Sequence, residues 1–167
     1  LSQSCSFVIV ADIADFYQRI YAHRFENALD TATTDRDVAR GIKKLLHQWN
    51  EGISYGLPIG TAAIHLLAEV TINDVDQALR DSRAVFCRFS DDYRIFCKSR
   101  SEALTMLEHL SRTLMFNHGL TLQPEKTGVL PVRAFRKRYL ATERDQEVHE
   151  LRQRFDALIA KLGLDEP

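Results

Sequence analysis

Cysteine is scarce in this chain: Cys5, Cys87 and Cys97 are the only three among 167 residues, and no two of them form a C-x-x-C pair. An odd and widely spaced set gives no disulfide framework; it suits reduced thiols in a cytoplasmic protein, packed as small core residues. Positive charge is not in excess either. With 22 Lys and Arg against 23 Asp and Glu, the formal net charge is -1. There is no global basic field, so a nucleic-acid partner has to be held by a local patch or by parts outside this chain. No apolar run approaches the roughly 20 residues that span a bilayer, and no charged segment followed by an apolar one opens the chain. The expectation is no membrane partner. Internal repeats and low-complexity segments are also missing. The first residue is Leu1 rather than methionine and a strand-like run follows almost at once, which reads as a piece of something longer. What is present, 45% hydrophobic and 27% charged residues, suits one globular domain with a real core.

Phe7-Val-Ile-Val-Ala11 is a continuous apolar, β-branched run, the pattern of a strand buried on both faces. It ends at Asp12, a carboxylate placed at the margin of the core, where it is costly unless it has a function or caps the next helix, as Asp12 or Asp15 could. Phe16, Tyr17, Ile20, Tyr21 and Phe25 follow at helical spacing. Asp35 to Asn50 reads as an amphipathic helix with Val38, Ile42, Leu45, Leu46 and Trp49 on its apolar face. The segment Glu51 to Gly60 holds three of the seven glycines and reads as a loop that lets backbone come close to a phosphate or base pair. Thr61 to Arg80 reads as one helix capped by Thr61, with Ile64, Leu67, Ala68, Thr71, Val75 and Leu79 inward. Phe86 to Cys97 is a hairpin with Asp91 and Asp92 at its tip. Ser101 to His118 is a helix with Leu104, Leu107, Leu110, Leu114 and Met115 at helical spacing, stopped by Gly119. Leu120 to Gln123 and Thr127 to Leu130 are short strand candidates. Tyr139 to Leu164 reads as a charged amphipathic helix whose apolar side covers another surface or a second copy.

The order strand, helices, strand, strand, helix, strand is the βαββαβ (ferredoxin-like) plan: an α+β fold with helices on one face of a mostly antiparallel sheet. In that plan Asp12 ends a central strand beside the hairpin tip, so Asp12, Asp91 and Asp92 converge. Crowded carboxylates repel one another, and a divalent cation relieves the repulsion. Three converging acids form the core of a two-metal site with ions about 3.5 to 4 Å apart, suited to phosphoryl transfer.

The series Asp12-Ile-Ala-Asp-Phe-Tyr17, Gly56-Leu-Pro-Ile-Gly60, Phe89-Ser-Asp-Asp92 and Gly119-Leu-Thr-Leu-Gln-Pro-Glu-Lys126 resembles, in order and spacing, motifs A to D of the reverse transcriptase palm. It is most similar to the bacterial retron, group II intron and defence-associated or abortive-infection enzymes. The resemblance implies a polymerase palm over residues 1–132, with a linker and helix over 133–167. It implies two Mg²⁺ ions, or Mn²⁺, on Asp12 and Asp91 with Asp92 in support. It implies template-primer and dNTP as partners, and Phe16 and Tyr17 at the substrate, with Tyr17 as the aromatic gate beneath the sugar. Gly56, Pro58 and Gly60 would shape the loop under the templating pair, and Lys126 would be the acid for the pyrophosphate leaving group. Self-association through the final helix is a further expectation.

Ile59 stands where many family members carry Gln, and Ser90 where Ala or Val is commoner. The finger residues that hold the triphosphate and the thumb are not securely present, so the chain alone is expected to fold but to polymerise poorly. Arg133, Arg136, Lys137 and Arg138 form a basic cluster within reach of a primer phosphate or in an ordinary linker. Alternatives are a template-independent or RNA-synthesising polymerase on the same palm, or a non-catalytic polymerase-like module. A cyclic-dinucleotide synthase would show a Gly-Gly-Asp/Glu-Glu-Phe hairpin, which this sequence lacks.

Overall fold

A computed structural model describes residues 5–49, 54–58, 60, 62–140 and 143–162, with the side chains of the last helix described only in part. Ile59 and the expected Thr61 cap lie outside the described residues. Two compact units are present, Leu1–Leu130 and Pro131–Pro167.

In the first unit, β1 (Phe7–Asp12) is followed by α1 (Phe16–Arg19), α2 (Ala22–Ala32), α3 (Arg36–Trp49), α4 (Ala62–Thr71), α5 (Asn73–Asp81), β2 (Val85–Phe89), β3 (Asp92–Cys97) and α6 (Arg100–His118). A short 3₁₀ turn, Pro124–Lys126, then leads into β4 (Gly128–Pro131). The four strands lie in the order β2-β3-β1-β4, and β3 is antiparallel to both β1 and β2. This is the mixed α+β palm-like arrangement expected. Alternation along β1 sends Ile9 and Ala11 to the face where Tyr93 and Ile95 of β3 also point, and there they form one core with Phe16, Ile64, Ala68, Val75, Leu79, Leu110 and Leu114 from the helices. Asp12 falls on the opposite face with Val8 and Val10.

Local chemistry explains the long helix α6. Ser99 Oγ accepts the Glu102 N–H at 3.1 Å and Glu102 accepts the Lys98 N–H at 2.7 Å, while Gly119 at φ 66° ends the helix with its N–H on the Met115 carbonyl. Asp35 caps α3 by accepting the N–H groups of Asp37 and Val38.

Several expectations are corrected. Thr61 to Arg80 is two helices, not one: Thr71 Oγ1 bonds back to the Leu67 carbonyl at 2.9 Å, and the chain leaves helical geometry at Ile72. On α3, Ala39 and Leu46 are buried, whereas Val38, Leu45 and Trp49 are exposed, because α2 covers a narrower stripe than the sequence periodicity offers. Leu104 and Met115 of α6 are likewise exposed. Asp15 occupies the N-cap position of α1 but makes no side-chain cap; its carboxylate pairs with Arg19 at 3.3 Å. Leu120 to Gln123 contributes only an isolated bridge, Ile13 to Leu122. Of the cysteines only Cys97 is buried, and burial pushes its thiol up to about 11; Cys87 is exposed, because it alternates with inward Phe86 and Arg88 on the edge strand β2. Val85, Cys87 and Phe89 thus form an exposed stripe along that edge.

In the second unit, α7 (Val132–Phe135) continues through a five-residue π-helical turn, Arg136–Leu140, before α8 (Glu143–Leu162). Arg133, Arg136, Lys137 and Arg138 are exposed, and Arg138 lies over the Tyr139 ring at 5.3 Å. Val148, Leu151, Phe155 and Leu158 recur at three- and four-residue spacing along α8 and are all exposed. No helix among the described residues is long and apolar enough to cross a membrane.

Candidate active site

The strand β1 ends where the hairpin turns. Asp12 is the direct antiparallel partner of Asp92, and the next residue, Ile13, donates its N–H to the Asp91 carbonyl at 3.0 Å. Side chains directly opposite on one sheet face have Cβ atoms roughly 4.5 to 5.5 Å apart, so the register alone sets the Asp12 and Asp92 carboxylates side by side. The connection between Phe89 and Asp92 is only two residues long. Its first residue, Ser90, has φ 56°, the positive value that tight hairpins demand, at a cost of roughly 1–2 kcal/mol for an L-residue.

Asp12 is buried, at 8% exposure, and its Oδ2 accepts from Lys126 Nζ at 3.1 Å. Asp92 accepts from Arg94 at 3.2 Å. No side-chain partner holds the Asp91 carboxylate among the described residues. The Lys126 ammonium titrates above its ordinary value because Asp12 accepts its hydrogen bond and because Asp12, Asp91 and Asp92 all act on it as charges. The four sequence-predicted catalytic residues are therefore brought together, with the lysine among the acids. Lys126 reaches this place because Gln123 N–H bonds the Asp12 carbonyl at 2.8 Å, which ties the 3₁₀ turn to the end of β1.

Among the described residues, no three His, Cys, Asp or Glu side chains form a group ready to hold a metal ion as they stand. The donor set nevertheless fits magnesium: hard carboxylate oxygens, few in number, are what an ion that keeps waters and shares substrate phosphates requires.

Tyr17 lies beside the turn. Its hydroxyl meets Ser90 Oγ at 2.6 Å and His65 Nδ1 at 2.5 Å. Phe16, also expected at the substrate, is buried in the core and supports the Tyr17 ring edge-on at 5.2 Å between centroids. That placement follows from α1, whose first turn directs one aromatic inward and the next along the surface. The glycine loop is tied to the same segment: Gly56 N–H bonds the Ile20 carbonyl at 2.9 Å and Leu57 N–H the Tyr17 carbonyl at 2.7 Å. Gly56 and Gly60 have φ 96° and 131°, which explains glycine at both; Pro58 between them is half-buried.

Sequence reasoning missed the polar cluster behind the turn. Arg88, 6% exposed, donates from Nε and Nη2 to Asp76, 8% exposed, and its Nη1 meets Glu69 at 2.6 Å. Tyr93 donates its hydroxyl to Asp76 at 3.1 Å. Burial alone lowers the pKa of Arg88, yet Asp76 and the neighbouring charges outweigh it and the net shift is upward; Tyr93 is driven up by burial and then by Asp76. Arg88 inside an otherwise apolar strand and Asp76 beside inward Val75 were the available signals. Phe89 was overlooked as well. It is 85% exposed and stands directly across from Asp92.

The geometry has counterparts among known proteins. Among 49 matching solved chains is an apo telomerase from Candida tropicalis truncated from its C-terminal domain, 11% identical, with a TM-score of 0.59 over 78% of this chain and 31% of that one. The chain thus spans about a third of that relative, and the likeness is one of fold. A comparison with curated protein sequences gave no match. The sequence profile described as reverse transcriptase (RNA-dependent DNA polymerase) matches residues 1–150 of the 167, and on that match the chain belongs to the reverse transcriptase family.

Proposed function

We propose that residues 1–132 are the catalytic palm of an RNA-directed DNA polymerase that joins a dNTP to a primer 3′-hydroxyl and releases pyrophosphate. The observation that carries this reading is the cross-strand placement of Asp12 and Asp92, with Asp91 in the turn and Lys126 among the acids. Two magnesium ions, or manganese, on Asp12 and Asp91 with Asp92 in support would supply activation of the hydroxyl and neutralisation of the transferring phosphoryl group. Lys126 keeps its proton at neutral pH, so it is able to donate to the departing pyrophosphate. Exposed Phe89 offers a flat apolar surface beside the acids for a base or sugar of the primer end. The loop of Gly56, Pro58 and Gly60 lies beneath the templating pair, and the cationic run Arg133, Arg136, Lys137 and Arg138 suits a primer phosphate. The wording of the Arg88 to Phe96 string supports a place among the bacterial retron, group II intron and defence-associated enzymes, acting in the cytoplasm. The exposed apolar side of α8 supports self-association through that helix.

Primer extension on an RNA template by a polypeptide carrying this chain with its neighbouring regions tests the reading. Mg²⁺-dependent addition of dNTPs is the expected result; extension with rNTPs alone would favour an RNA-synthesising polymerase, and no extension a non-catalytic module.

Sugar choice provides a separate check. Tyr17 is held by Ser90 and His65, and removing its ring opens the space a 2′-hydroxyl would fill. Tyr17→Ala is expected to lower the kcat/KM preference for dNTP over rNTP about tenfold or more. An unchanged ratio would leave Tyr17 as a packing residue.

A further inference from the structure

The turn bearing Asp91 is gripped from behind by side chains that no motif assigns. Ser90 donates its N–H to Glu69 Oε1 at 3.1 Å, and its carbonyl accepts from Arg88 Nη1 at 3.0 Å. The same Nη1 meets Glu69 Oε2 at 2.6 Å. Both backbone polar groups of Ser90 are closed into a ring with one carboxylate and one guanidinium. Arg88 is itself anchored, since Asp76 accepts from Nε at 2.9 Å and from Nη2 at 2.6 Å. Glu69 belongs to α4 and Arg88 to β2, and Asp76, which holds Arg88, to α5, so two helices and the hairpin act on the two peptide groups that flank Ser90.

We propose that Glu69 and Arg88 are positioning residues for the Asp91 carboxylate. Ser90 holds a left-handed conformation that L-residues avoid, and hydrogen bonds on both sides of it offset that cost. Asp91 has no side-chain partner among the described residues, so the backbone alone fixes where its Cα–Cβ bond starts and points. Hold the peptides on both sides of Ser90, and the Asp91 Cα–Cβ bond leaves the turn in one direction, which narrows the positions its carboxylate can take. Groups that orient a ligand without touching the ion govern affinity in this way. The inference rests on the reading of Asp91 as a metal ligand.

The test is Mn²⁺ titration of this chain followed by electron paramagnetic resonance, beside amide hydrogen exchange at Ser90. Glu69→Ala is expected to weaken Mn²⁺ binding by on the order of 10- to 100-fold. Exchange at Ser90 should quicken on the order of tenfold, as for a lost hydrogen bond to a charged group, while the β1 amides keep their rates. Glu69→Gln keeps an acceptor for the Ser90 N–H and should restore most of both. Parent-like Mn²⁺ affinity with unchanged Ser90 exchange in Glu69→Ala overturns the proposal. If Glu69→Ala also loosens β1, the glutamine variant decides: binding as weak as that of the alanine variant overturns it too. Asp91→Asn separates the two readings. Undiminished Mn²⁺ binding there removes the metal-ligand role, and the clamp is then judged by Ser90 exchange alone.

Discussion

Asp91→Asn is expected to reduce nucleotide addition by on the order of 10³-fold or more while leaving the fold intact, because under the proposed two-metal reading it removes a ligand charge worth several kcal/mol at the transition state. Stability should hold for a structural reason. The Asp91 carboxylate has no ion-pair or hydrogen-bond partner among the described residues, the substitution is isosteric, and it removes one of three neighbouring negative charges. Primer extension and thermal unfolding on the same preparation check both halves. Activity near the parent level would remove Asp91 from the chemistry; a large loss of stability would mean that the turn depends on its charge.

Asp76→Ala is expected to have the largest effect on folding, about 3–5 kcal/mol, because it leaves the almost fully buried Arg88 guanidinium without its main partner and Tyr93 without its acceptor. For a domain of this size that corresponds to roughly 6 to 20 °C in Tm. The size comes from the buried Nε and Nη2 donors left without an acceptor, with Glu69 still only on Nη1, rather than from the strength of the pair. Replacing both partners, Arg88→Met with Asp76→Leu, should therefore cost less than the two single changes together, and a double-mutant cycle by denaturant unfolding measures the difference. Additive losses would show that the pair is not coupled.

Much of the fold was legible because its signals are local. β1 is a continuous apolar run with Val8, Ile9 and Val10 at its centre, α6 has Gly119 as its stop, and the Asp-Asp hairpin lies between two apolar runs. The acids could be placed because strand ends are fixed by topology: once β1 lies beside β3, Asp12 has nowhere else to be. What stayed hidden depends on tertiary partners. Whether Val38 or Ala39 faces inward on α3 is decided by the width of α2, which no periodicity contains. Arg88 read as a strand residue because its meaning comes from Asp76, twelve positions earlier on another element. The break at Ile72 was masked by an unbroken helical pattern on both sides.

The exposed stripe of Val85, Cys87 and Phe89 has a consequence for the protein in solution. Among the described residues β2 is the last strand on its side of the sheet, so its outer backbone groups are a template for another extended chain, and the stripe makes that contact greasy as well as hydrogen-bonded. A strand of five residues limits the hazard without removing it. Concentrated stocks should consequently aggregate edge to edge before they unfold. The accessible Cys87 thiol, once oxidised, would lock such pairs covalently, so a reducing buffer protects colloidal stability as much as chemistry.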